Sequence, residues 1–170
     1  MLSGRTLSRT AVALVGSAGI AVATATPAAA SVTYQTIQLV DNTSMCIGVP
    51  GDSTSDRVNL TTVPCGTSAS QSWVFTVDSS GTWGELRNTL TGKCMDIRDK
   101  SRDNGTAVQQ YTCNGGSNQK FRFELASNAF LRNKNSNMCV SVFNSASPDY
   151  LVQWGCPIGY PSQRWQANLQ

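Results

Sequence analysis

Six cysteines, no histidine and one short acidic run are the places in this chain where reactive chemistry could reside. Without imidazole, a Ser-His-Asp triad and histidine-ligated metal sites are excluded, and no Cys-x-x-Cys pair offers thiolates at a metal-binding spacing. Asp96, Asp99 and Asp103 crowd one stretch, and two carboxylates are what glycoside hydrolysis requires. They are interleaved with Arg98, Lys100 and Arg102, a pattern that reads as a solvated, charge-balanced loop. Arg98→Ala or Lys100→Ala is therefore expected to change little. The cysteines are better used as bridges than as nucleophiles. The expectation is a protein that is not an enzyme and needs no cofactor or metal.

The spacing of the cysteines shows how they are organised. Cys46 and Cys65, Cys94 and Cys113, and Cys139 and Cys156 lie 19, 19 and 17 residues apart. Behind them follow Gln71-Ser72-Trp73, Gln119-Lys120-Phe121 and Gln163-Arg164-Trp165, so the period is 48 and then 45 residues. One domain, 31–170, is read as three repeats, about 31–78, 79–126 and 127–170. A unit copied three times would carry its own bridge each time, which favours Cys46–Cys65, Cys94–Cys113 and Cys139–Cys156 among the possible pairings.

The elements that must hold these residues are strands and turns. Val32-Thr33-Tyr34-Gln35-Thr36-Ile37-Gln38-Leu39-Val40 alternates and is rich in β-branched residues. Asp41-Asn42-Thr43-Ser44 and Pro50-Gly51-Asp52-Ser53 supply turn chemistry. No helical period persists beyond a turn. About four short strands per repeat give twelve in all, and so many strands leave exposed edges unless they close into a barrel.

Residues 1–30 have another composition: Arg5 and Arg9, an apolar run from Ala11 to Ala23, and Ala28-Ala29-Ala30. That order is a secretory signal peptide, with an N-terminus expected at Ser31 and no membrane span retained. Export also suits disulfides. Without Arg5 and Arg9 the chain keeps 11 basic against 10 acidic residues, so most of its net charge of +3 leaves with the leader. No basic stripe for nucleic acid remains.

The three Gln-x-Trp-like signatures, each with its cysteine pair, and the run from Val108 to Gln119 resemble a ricin B-type lectin domain over essentially all of 31–170, with modules that bind xylan or galactose among the similar secreted bacterial proteins. The resemblance implies an all-β fold, a β-trefoil whose six-stranded barrel is capped by three hairpins. It places Trp73, Phe121 and Trp165 in the shared core. A sugar has an apolar C–H face and a rim of paired hydroxyls, so its site needs an aromatic platform, a carboxylate and amides.

The resemblance assigns those roles in the second repeat to Asp96, Gln109, Tyr111, Asn118 and Gln119, a complete set. Asp96 is expected to be a surface carboxylate whose loss abolishes binding and spares the fold. The first repeat has Gly48, Thr61, Val63, Ser70 and Gln71 at those positions and is read as silent. The third has Ser141, Val152, Trp154, Ser162 and Gln163, a platform without a carboxylate. The implied protein is a secreted, monomeric, carbohydrate-binding module for galactose- or xylose-type sugars or polysaccharide. A protein-binding β-trefoil, such as a protease inhibitor, is the alternative.

Overall fold

The computed structural model describes residues 29–124, 129–156 and 162–169, so most of the expected signal peptide lies outside the described residues. Six strands form a closed ring: β1 (Ser31–Leu39), β5 (Trp73–Val77), β6 (Gly84–Asn88), β9 (Lys120–Glu124), β10 (Ala129–Asn133) and β13 (Arg164–Leu169). Each pairs antiparallel with the next, and β13 returns to β1. Closure removes the free edges that an open sheet of this size would expose.

The remaining strands cap the ring as hairpins. β2 (Asn42–Gly48) pairs with β4 (Thr61–Pro64), β7 (Cys94–Ile97) with β8 (Val108–Tyr111), and β11 (Cys139–Ser141) with β12 (Val152–Trp154). The protein is thus an all-β trefoil, and among the described residues its only helical pieces are short 3-10 turns. None of these is long and apolar enough to cross a membrane. The thirteenth strand, β3 (Val58–Asn59), is one more than the twelve expected, because this short segment of the first repeat pairs with β8 of the second.

The core lies where ring and caps meet. Trp73, Phe121 and Trp165 are fully buried there with Ile37, Leu86 and Leu131, as their apolar volume dictates. The indole N–H groups of Trp73 and Trp165 donate to the carbonyls of Ile47 and Val140, so burial leaves neither donor unpaired. Leu60 N donates to Val108 O, Val108 N to Leu151 O and Leu151 N to Leu60 O, each at 2.9 Å. This cyclic set of backbone bonds fastens the three caps to one another.

Cys46–Cys65, Cys94–Cys113 and Cys139–Cys156 are bridged. Glu85 lies beside the second bridge, but both sulfurs there are already used, so the cluster offers a metal no thiolate.

Candidate functional site

The β7–β8 hairpin and the 3-10 turn Ser117–Gln119 bring the five predicted residues of the second repeat together. Asp96 is directly opposite Gln109 in the hairpin register, so the period-2 alternation of strands sends both side chains to one face. Tyr111, two residues further along β8, shares that face. The turn then lays Asn118 and Gln119 alongside. Gln109 Nε2 donates to Asp96 Oδ1 at 2.9 Å, while Asn118 Nδ2 and Gln119 Nε2 donate to Asp96 Oδ2 at 2.7 and 3.0 Å.

Asp96 is only 3% exposed, which corrects the expectation of a surface carboxylate. Burial pushes its carboxyl above the usual carboxylate range, although the three amide donors favour its ionised form. A carboxylate offers about four acceptor positions. Three are taken, and the one left lies on Oδ1. Asn118 Nδ2 also donates to the Ile97 carbonyl, while Asn118 Oδ1 is buried with no partner among the described residues. Both oxygens belong to residues lining a cleft of about 160 Å³, with Tyr111 and Asn114 also in its wall.

Gln109 and Gln119 both hold the Asp96 carboxylate, and Gln109 also lines the cleft. The Gln109 carbonyl oxygen accepts from Arg98 Nε at 3.0 Å, and of its two amide N–H donors one is given to Asp96. Gln119 is fully buried; its oxygen accepts from Asn114 N, and its nitrogen donates to the Thr112 carbonyl as well as to Asp96. Gln71 does the same for Gly66 and Pro64, and Gln163 donates to Gly155. The signature glutamine therefore ties down the segment around the second cysteine, and among the described residues only in the second repeat does it also hold a carboxylate.

The other two repeats lack the carboxylate for visible reasons. A Cβ at Gly48, the counterpart of Asp96, would lie 2.7 Å from Val63 Cγ2. Thr61, Val63 and Ser70 supply no substitute, and Ser70 is turned to Ser68. In the third repeat Ser141 is buried and its hydroxyl donates to the Cys139 carbonyl. Trp154 meets Phe143 edge-on with ring centroids 5.3 Å apart, beside the buried Val152, and Ser162 bridges to Val142.

Several residues of the second site carry no signal in the repeat pattern. Arg98 is not a solvated charge: besides Gln109 it donates to Asn59 Oδ1 and to the Arg57 carbonyl, so it supports the cleft wall. Lys100 and Asp99 line the cleft, as does Arg57 of the first repeat. The β3–β8 pairing that delivers Arg57 joins two repeats, and repeat alignment shows only what each repeat holds within itself.

Comparison with known proteins agrees with this architecture. A profile of the ricin-type beta-trefoil lectin domain matches residues 82–170, and one of the ricin-type beta-trefoil lectin domain-like family matches 26–111. The chain belongs to the ricin-type β-trefoil lectin family, a carbohydrate-binding fold. No curated protein matches it.

Among solved structures it is similar to the designed three-fold symmetric protein ThreeFoil, at 24% identity and TM-score 0.74 over 81% of this chain and 99% of that one. It is also similar to an exo-β-1,3-galactanase from Clostridium thermocellum, at 22% and 0.72 over 82% of this chain. The Polyporus squamosus lectin follows at 19% and 0.68 over 81%. The chain corresponds to 30% of the galactanase chain and 48% of the lectin chain.

Proposed function

We propose that the protein is a secreted carbohydrate-binding module with one complete site, in the second repeat, for a galactose- or xylose-type sugar unit, free or in a polysaccharide. The observation that carries this reading is the buried Asp96 carboxylate, gripped by three amides at the floor of a cleft walled by Tyr111. A buried charge held this way stabilises little by itself, and an open acceptor on it suits the hydroxyl of a ligand. Asp96 Oδ1 accepts from a sugar hydroxyl, and the C–H face of the ring packs on Tyr111. Gln109 and Gln119 orient the carboxylate. The galactanase and the lectin among the similar structures act on or bind sugars, which supports the class of ligand.

Secretion rests on the leader-like residues 1–30 and on three disulfides, which suit an oxidising compartment. The test is glycan-array and polysaccharide pull-down profiling of protein recovered from the medium, with Asp96→Asn as the control. Binding that is lost in the variant supports the site. Equal binding by the variant overturns it, and an N-terminus other than Ser31 overturns the cleavage point.

A further inference from the structure

We propose that Arg57, lent by the first repeat to the cleft of the second, makes that cleft selective for sugars bearing a carboxylate, such as a hexuronic acid. The inference rests on the sugar-site reading and names the ligand class within it. Arg57 lines the cleft, and its guanidinium carbon lies 5.9 Å from the centre of the Tyr111 ring. It also reaches Asp99 at 3.3 Å. Arg57 and Asp99 side chains are 59% and 63% exposed, so their ion pair is weak and readily exchanged for a ligand carboxylate.

The backbone indicates that this arginine is placed for its side chain. Arg57 has φ 65°, a left-handed conformation that glycine adopts at no steric cost and a bulky residue adopts rarely. Its N–H donates to Gln110 O, and the Gln110 side chain donates to the carbonyls of Ser53 and Ser55. In the next repeat the same construction recurs with Gly105 at φ 81°. Gly105 N donates to Gln153 O, and Gln153 donates to the carbonyls of Ser101 and Asp103. Gly105 faces Trp154 as Arg57 faces Tyr111. The geometry calls for glycine in both places, and only at the complete site does a cation stand there.

The segment bearing it is firmly docked. Asp56 accepts from Thr112 N at 2.9 Å and from Lys93 Nζ at 2.7 Å, and the Arg57 carbonyl accepts from Arg98. The cleft is therefore graded. Its floor holds Asp96, whose Oδ1 keeps an acceptor position for a hydroxyl. Its rim holds Arg57, whose five N–H donors match a carboxylate in bidentate fashion, and Lys100, which has no ion-pair partner among the described residues. A hydroxyl at one end and a carboxylate at the other describe a uronic acid.

The test is calorimetric or NMR titration at neutral pH and low salt with matched pairs: galactose and galacturonic acid, glucose and glucuronic acid, and mannose and mannuronic acid. For the pair whose stereochemistry fits, the uronic acid is expected to bind roughly threefold to tenfold tighter than the neutral sugar, and the margin to shrink with added salt. Arg57→Asn, which tolerates the left-handed backbone, removes the margin, so that the uronic acid and its neutral partner bind the variant with equal affinity. Asp99→Asn frees Arg57 and widens it. A uronic acid that binds no tighter than its neutral partner, or a margin that survives Arg57→Asn, overturns the proposal while the sugar site stands. If no member of any pair binds, the sugar-site reading and this inference fall together.

Discussion

The second site concentrates its chemistry in one residue, and the burial of Asp96 gives that residue two consequences that an exposed carboxylate lacks. Asp96→Ala removes the acceptor for three buried amides, Gln109, Asn118 and Gln119, so it is expected to lower stability by roughly 1–3 kcal/mol in addition to abolishing binding. Chemical denaturation of the variant beside the parent checks the first effect and sugar titration the second. The pH dependence follows from the raised carboxyl. The folded chain takes up the Asp96 proton at a higher pH than the unfolded chain, so through that window acidification favours the fold while it extinguishes the acceptor. Sugar affinity should therefore fall on acidification at a pH above the ordinary aspartate value of about 3.9, with circular dichroism still native. Affinity that is flat until the domain unfolds would sink this. At Tyr111, Phe keeps the stacking face and should bind nearly as well as Tyr, whereas Ala should lose most of the affinity in the same titration.

At the scale of elements, the ring is held by core packing on the inside and by shared charges on the outside. Arg122 of β9 is directly opposite Arg132 of β10, a pairing that repels on its own. Both guanidiniums donate to one oxygen of Glu124, which turns two like charges into a bridge and holds the Glu124 carboxyl below its usual range, the Arg132 bond first. Glu124→Gln removes that anion and leaves the two arginines facing each other. It should cost on the order of 1 kcal/mol, read as a lower midpoint in thermal or denaturant unfolding; an unchanged midpoint would show that solvent screens the pair. Because the Glu124 pKa is depressed, its contribution is present above the unfolded glutamate range and is lost as pH falls through the folded value. Strands, bridges and the core triad Trp73, Phe121 and Trp165 were legible in the sequence because each recurs once per repeat, and a feature copied in register is visible without a structure. The meeting of Asp96 with Gln109, Asn118 and Gln119 was legible and its burial was not, since exposure depends on how the turn carrying Asn118 folds over the hairpin. Arg57 and Arg98 were not legible, because their roles arise where β3 crosses to β8 of another repeat and no periodicity marks that contact.

At the scale of the whole molecule, the backbone is close to three-fold while the chemistry is not. The cyclic bonds among Leu60, Val108 and Leu151 and the three signature glutamines keep all three caps alike in shape. Shape alone does not make a site, because the first cap fills the carboxylate's place with Val63 and the third has the buried Ser141 there. Restoring the acid alone is therefore insufficient: an Asp placed at Gly48 would collide with Val63 and find Thr61 where Gln109 should be. The expected stoichiometry is one sugar per chain, with a dissociation constant of about 0.1–10 mM for a monosaccharide, or roughly −2.7 to −5.5 kcal/mol. With one site, a single molecule gains no avidity from a polymeric ligand, so affinity per sugar unit should be similar for monosaccharide and polysaccharide until chains crowd along the polymer. Gly48→Asp should leave the stoichiometry at one and lower stability through the clash. Calorimetry that returned three equivalent sites in the parent, or a second site in Gly48→Asp, would show that the outer caps bind through groups other than the Asp96 constellation.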